Sequence, residues 1–159
     1  MGPLHQYRAT TTWVGNRGTG TSDYKSYDRN HDIAIAGKDV LKCSSDPTFR
    51  GDKTRHNPEE LLVASISGCH MLWYLHLCAV NGVIVTEYTD EASGTMKENK
   101  DGSGQFTEIT LKPRVVVEHE SMIEKANQLH HDANKMCFIA RSVSFPVHHQ
   151  PQTVVTARI

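Results

Sequence analysis

The sequence predicts an α+β domain, antiparallel sheets around a central buried helix, on three observations. The first third alternates between apolar and polar residues as strands do; the middle holds a long uncharged apolar run with a marked helical start and stop; and the remainder reads as a hairpin, an amphipathic helix and a last strand. The chain has 159 residues, the size of one domain. The expected organisation is therefore a single domain over 1–159, with N-terminal strands and a loop over 1–56, the central helix over 57–81, and the hairpin, second helix and final strand over 82–159.

Tyr7, Ala9, Thr11 and Trp13 fall on one side of a first strand, and "HDIAIAG" repeats the pattern with Ile33 and Ile35. Between them "GNRGTGTSDYKSYDRN" is rich in Gly and polar residues, and "SSDPTFRGDKTRHNP" has no period, so both read as loops. The helix start is well specified. Asn57 is a good N-cap, Pro58 suits the first helical position and Glu60 completes a capping box; Asn81-Gly82 supplies the stop. After it "VIVTEYTDEASGTM" and "GQFTEITLKPRVVVEHE" read as two strands joined by "KENKDGSG", with Pro113 marking a bulge or an edge. Met122, Ala126, Leu129, Ala133 and Met136 recur at helical spacing, and "TVVTARI" closes the chain as a strand.

Composition excludes some function classes. The formal net charge is -1, with 17 basic and 18 acidic residues mixed along the chain, so no basic stripe points to nucleic acid. The run Leu61 to Val80 is long enough to span a bilayer, but Ser65, Ser67, His70 and His76 interrupt it, which favours a helix buried on most sides of a globular core. The start "MGPLHQYRATTTWVG" has no apolar signal region. Four cysteines, at 43, 69, 78 and 137, lack CxxC spacing and read as reduced thiols in the cytoplasm.

Most cysteines on apolar helices are small hydrophobes, and Cys43 and Cys78 are read so. Cys69 stands apart because of its context, "NPEELLVASISGC": Glu59 lies ten residues before it, and Arg50 and Arg55 lie in the loop upstream. A thiolate at neutral pH needs a cation beside it, and a guanidinium needs a carboxylate to fix its plane. Arg50 is the first candidate for that cation, ahead of Arg17 and Arg55. On one straight helix Glu59 and Cys69 would stand about 15 Å apart at 1.5 Å per residue, so a break or kink near Ser65–Gly68, with an arginine bridging the remaining gap, is expected.

The stretch "HNPEELLVASISGC", with Cys137 after "KANQLHHDANKM", resembles the signature of the OsmC/Ohr superfamily, the osmotically inducible and organic hydroperoxide resistance proteins. The order of strands, helix, hairpin, helix and final strand also agrees. The resemblance implies an OsmC-like fold and an intertwined homodimer with the site at the subunit interface, needing no metal, haem or flavin. It implies a thiol-dependent peroxidase in which Cys69 is the peroxidatic thiolate and Cys137 the resolving thiol; Arg17 matches the basic position of some family members, while nearness to the NPE start puts Arg50 first, with Glu59, as the expected support. The substrate would be an organic hydroperoxide and the reductant an external dithiol or lipoyl group. Met71, Leu72, Trp73 and Phe138 would suit an apolar pocket.

Two other readings remain open on the residues. His130, His131, Cys137, His148 and His149 are close in sequence, yet no paired short spacing of zinc ligands is present. A non-catalytic dimer of the same fold binding a small apolar ligand is the alternative to the peroxidase. An acyl-transfer site using His76 as base is disfavoured, since His76 lies about 10 Å along the helix from Cys69. His70 is expected to take a packing or polar-network role, because consecutive helical residues point about 100° apart.

Overall fold

The computed structural model describes residues 2–155; residues 156–159 of the expected last strand lie outside the described residues. The chain divides between Leu61 and Leu62 into two compact units.

In the first unit β1 (Thr10–Trp13), β2 (His31–Ala34) and β3 (Leu41–Cys43) form an antiparallel sheet in the order β1-β2-β3. The third strand was not anticipated: it has three residues and no visible alternation. The loop from Gly15 to Asn30 is ordered by side chains. Trp13 Nε1 donates to the Asp28 carbonyl at 2.8 Å, and the Arg29 guanidinium lies over the Tyr24 and Tyr27 rings at 4.3 and 4.1 Å.

Helix α1 (Pro58–Val80) begins with the expected reciprocal cap. The Glu60 amide donates to Asn57 Oδ1 at 2.8 Å, and the Asn57 amide donates to Glu60 Oε2 at 3.2 Å. It ends in a Schellman closure: Gly82 takes φ 73°, and the Val83 amide donates to the Cys78 carbonyl at 2.9 Å. The expected break at Ser65–Gly68 is absent. Ser65 Oγ donates back to the Leu62 carbonyl at 2.8 Å, which keeps its hydroxyl within the helix, and no proline interrupts the ladder. The expectation of burial on most sides also needs correction. Only Ile66, His70, Tyr74 and Cys78 are fully buried, one row at four-residue spacing, while Leu72 and Val80 are 65% and 64% exposed. By length and composition this helix could also cross a membrane.

The second unit holds two further sheets. Strands β4 (Val85–Asp90), β7 (Pro113–Val117) and β9 (Gln152–Val155) form one, in the order β4-β7-β9; β5 (Ser93–Glu98), β6 (Gly104–Leu111) and β8 (Val147–His149) form the other, in the order β5-β6-β8. The hairpin expected from sequence is thus two shorter strand pairs, each long run dividing between the sheets. Asp90 sits at both breaks: its Oδ1 accepts from the Lys112 amide at 2.7 Å, between β6 and β7. The sheets are mixed and not purely antiparallel, because β8 pairs with β6 and β9 with β7 in parallel. Pro113 opens β7, a first-strand-residue position that needs no ladder donor, so the strand is central to its sheet and not an edge.

Helix α2 (Ile123–Met136) buries Ala126, Leu129, His130 and Ala133. Met136, expected on that face, is 44% exposed, since the helix ends there. Tyr74, Cys78, Val83, Val115, Val117, Ala126, Leu129 and Ala133 form the core between α1, α2 and the β4-β7-β9 sheet. Asn57→Ala removes the reciprocal cap of α1 and is expected to lower stability by about 1 kcal/mol, read as a lower urea midpoint at unchanged m value. An unchanged midpoint would mean that the cap contributes nothing.

Candidate functional site: a paired thiol beside an apolar cavity

The row buried by α1 leaves a second row on the neighbouring face. Ser65, Gly68, Cys69, Leu72, Trp73 and His76 follow the i, i+3, i+4, i+7 rhythm and, with Phe138 just beyond α2, line a cavity of about 590 Å³. Trp73 meets Phe138 edge to face at 5.5 Å and His76 at 5.8 Å, which fixes the aromatic wall. Of the four residues expected to form a pocket, Leu72, Trp73 and Phe138 do, and Met71 is not among its walls.

Cys69 is partly exposed at this wall, and Cys137 behind it is fully buried. The two thiols are near enough to influence each other's ionisation, and neither is in a disulfide. Burial pushes the Cys137 thiol up to about 11; the Ala140 amide, donating to its sulfur at 3.4 Å, works against that, and the Cys69 sulfur adds to it. Cys137 is therefore a protonated thiol at neutral pH. Cys78 and Cys43 are buried, and burial raises both thiols. They have the character of inert core cysteines.

The sequence-assigned support residues lie before the cysteines. Glu59 occupies the first turn of α1, ten residues before Cys69 on the same helix. Arg55 is held by Asp32 at 3.3 Å and Asp52 at 3.9 Å, and Arg17 by Asp28 at 3.8 Å. Arg50 has a left-handed backbone, φ 64°, and borders a small polar cavity with Asp28, Arg29, Asn30, Gly51 and Asp52; no ion pair holds its side chain among the described residues.

Sequence reasoning missed the polar groups packed beneath the cysteine. His70 Nε2 and His130 Nδ1 are 3.1 Å apart, both rings fully buried and coplanar within 4°. The His130 ring stacks on Tyr74 at 3.8 Å, and His149 lies 5.9 and 6.4 Å from the two imidazoles. Ser67 Oγ donates to Asp90 Oδ2 at 2.5 Å, tying α1 to the strand break two residues before Cys69. The available signal was phase: His130 falls on the buried face of α2 with Ala126 and Ala133. Among the described residues no group of three or more His, Cys, Asp and Glu is gathered as metal ligands would be.

The OsmC-like protein family profile matches residues 51–151. An OsmC-like protein of unknown function from Vibrio cholerae is 30% identical, with a TM-score of 0.85 over 94% of this chain and all of that one. An organic hydroperoxide resistance protein OsmC, described as a predicted redox protein and regulator of sulfide bond formation, from Legionella pneumophila is 14% identical, with a TM-score of 0.69 over 98% and 100% of the two chains. One from Elizabethkingia anophelis, with thiocyanate bound, is 16% identical, with a TM-score of 0.67 over the same shares. These last two share the fold. No curated protein matches the sequence. The chain belongs to the OsmC-like family.

The histidine pair has a consequence for stability. Burial lowers His70 to about 4 and His130 to about 3; His149 lowers both further, His70 lowers His130, and Asp90 opposes the shift at His70. Both rings are neutral in the folded chain, sharing one hydrogen across the bond. Below about pH 6.5 the unfolded chain binds more protons, so stability is full above that pH and falls as pH drops toward about 4, by up to ~2.7 kcal/mol per pH unit for two rings. Urea midpoints from pH 7 to 5 should fall steeply in the wild type and less in a His70→Leu/His130→Leu double variant. Equal slopes would contradict the neutral pair.

Proposed function

We propose that this protein is a thiol-dependent peroxidase that reduces organic hydroperoxides, with Cys69 as the peroxidatic residue and Cys137 as the resolving residue. One observation carries the reading: a partly exposed thiol in the wall of an apolar cavity, with a second, protonated thiol close behind it. The relatives named for organic hydroperoxide resistance support it at the level of fold.

The Cys69 thiolate attacks the terminal oxygen of the hydroperoxide. A sulfur–oxygen bond forms, the oxygen–oxygen bond breaks, and the alkoxide leaves as the alcohol after taking a proton. Cys69 is left as sulfenic acid. The Cys137 thiol then attacks that sulfur; the disulfide forms and the hydroxyl leaves, with the thiol proton, as water. An external dithiol, of which a lipoyl group is one kind, restores both thiols by exchange. The apolar walls favour an alkyl or aryl peroxide over hydrogen peroxide, because only the former buries hydrocarbon there. The cation for the thiolate is assigned to Arg50 and its orientation to Glu59, from sequence alone.

The reading extends to a homodimer. Leu72 and Phe138 are 65% and 66% exposed beside the cavity, an apolar rim that a second copy would cover. Light scattering at micromolar concentration should return twice the 17.8 kDa chain mass; a monomer would remove this part of the proposal.

Cumene hydroperoxide with a dithiol reductant is the direct assay. Cys69→Ser should abolish turnover. Cys137→Ser should still consume about one equivalent of peroxide per chain and stop at the sulfenic acid. In the wild type, one equivalent should remove two hydrogens, mapped by mass spectrometry to a Cys69–Cys137 link. Undiminished activity in Cys69→Ser would end the reading, and an inactive wild type that still binds apolar ligands would favour a non-catalytic binding protein.

A further inference from the structure

We propose that His70 and His130 are positioning residues that set the separation of the Cys69 and Cys137 sulfurs. The inference rests on the reading of those cysteines as a reacting pair.

The placement is the first argument. His70 follows Cys69 directly on α1. His130 precedes Cys137, the C-terminal cap of α2, by seven residues, which is two turns and so the same face. A bond between the two imidazoles therefore joins the cysteine-bearing helices one residue from the first sulfur and directly in line with the second.

The geometry is the second. The ring centroids are 5.4 Å apart, close to the largest separation that a 3.1 Å nitrogen–nitrogen contact allows, and the planes agree within 4°. The nitrogens thus point straight at each other. Such a hydrogen bond weakens steeply when its partners slide or rotate, unlike a contact between methyl groups. Two ligands of one metal ion would instead converge at an angle, so this arrangement is a hydrogen bond and not half of a metal site.

The third is that neither ring is free to turn. His130 lies flat on Tyr74 at 3.8 Å and 10°, and Tyr74 is one helical turn beyond His70. One side chain of α2 is keyed between two successive turns of α1. The outer nitrogens, His70 Nδ1 and His130 Nε2, are buried with no protein hydrogen-bond partner among the described residues. Each imidazole thus depends on the other for its polar contact. Two leucines would fill this space without orphaned nitrogens, but leucines pack in several registers. A disulfide accepts Cα separations of only about 4.4–6.8 Å, so register at this crossing decides whether the thiols can close.

Two rates and one equilibrium test the proposal in His130→Leu, His70→Leu and the conservative His130→Asn, whose amide reaches close to the place of Nδ1. With one equivalent of cumene hydroperoxide, trapping of the Cys69 sulfenic acid should stay within about twofold of the wild type in every variant. Closure of the Cys69–Cys137 disulfide should slow by about tenfold or more in the leucine variants and recover to within about threefold in His130→Asn. The equilibrium needs no peroxide: oxidised glutathione and the protein dithiol exchange to the protein disulfide and two reduced glutathiones. The effective concentration of one thiol for the other should drop about tenfold in His130→Leu. Wild-type effective concentration in either leucine variant would overturn the positioning role. If that value drops while no protein form consumes peroxide, the peroxidase reading fails and the positioning role stands. Should the leucine variants fail to fold, His70→Gln and His130→Asn carry the same comparison, and an unaltered effective concentration in the double variant alongside poor hydrogen-bond geometry in its structure would overturn the proposal.

Discussion

The four-residue row Ile66, His70, Tyr74 and Cys78 on α1 is the constraint on which the second unit depends. These are the residues of α1 that are fully buried: Tyr74 and Cys78 pack with α2 and the β4-β7-β9 sheet, His70 meets His130 of α2, and Ile66 packs on Ile109 and Leu111 of β6. A helix that commits one face to its core also fixes where every other residue points. Here that phase sends Ser65, Gly68, Cys69, Leu72 and His76 to a neighbouring face, where they wall the cavity. Core and cavity are two rows of one helix. That is also why the helix reads as uniformly apolar, and why a test of length and hydropathy cannot tell it from a membrane span.

The buried row is not wholly hydrocarbon. An imidazole at position 70 must meet a polar partner in the interior, and His130 supplies it. On the other side of Cys69, Ser67 reaches Asp90, whose second oxygen holds the Lys112 amide where β6 gives way to β7. The residues flanking the thiol, at 67 and 70, are thus anchored to different elements. Backbone movement at Cys69 would have to break a hydrogen bond to the sheets or one to α2. A thiol whose partner is another chain segment needs that kind of anchoring, because a helix held by apolar packing alone can shift register at little cost.

The extent to which the sequence was legible follows from how local each cause is. The capping box at Asn57 and Glu60 and the stop at Gly82 depend on residues within one turn, and they were readable. So were the amphipathic phase of α2 and the thiols themselves. The division of the long hairpin into two sheets was not readable, because it depends on Asp90 reaching an amide 22 residues away and on late strands inserting in parallel. The three-residue strands β3 and β8 were too short to show a period. A kink was expected in α1 because a carboxylate was being asked to approach a thiol ten residues on. The helix had no local reason to break, and it runs without interruption through that stretch. His130 was seen only as one histidine among many, since a pairing across 60 residues leaves no local trace in a single sequence.

The same asymmetry that makes the cysteines distinguishable gives the proposed chemistry its order. A sulfur that attacks first must be reachable by an outside molecule, and one that attacks second need only reach the first. Cys69 stands partly exposed among Leu72, Trp73 and Phe138; Cys137 has no exposed surface, and burial keeps its proton on. Were the roles exchanged, the peroxide would have to enter the space behind Cys69, between two packed helices, to meet a thiol that resists ionisation. Once Cys69 is oxidised its sulfur becomes the electrophile, and the buried thiol needs no prior ionisation in bulk water: it can lose its proton to the departing hydroxyl as the sulfurs join. Exposure and protonation thus point the same way, which is why the pair supports one sequence of steps better than its reverse.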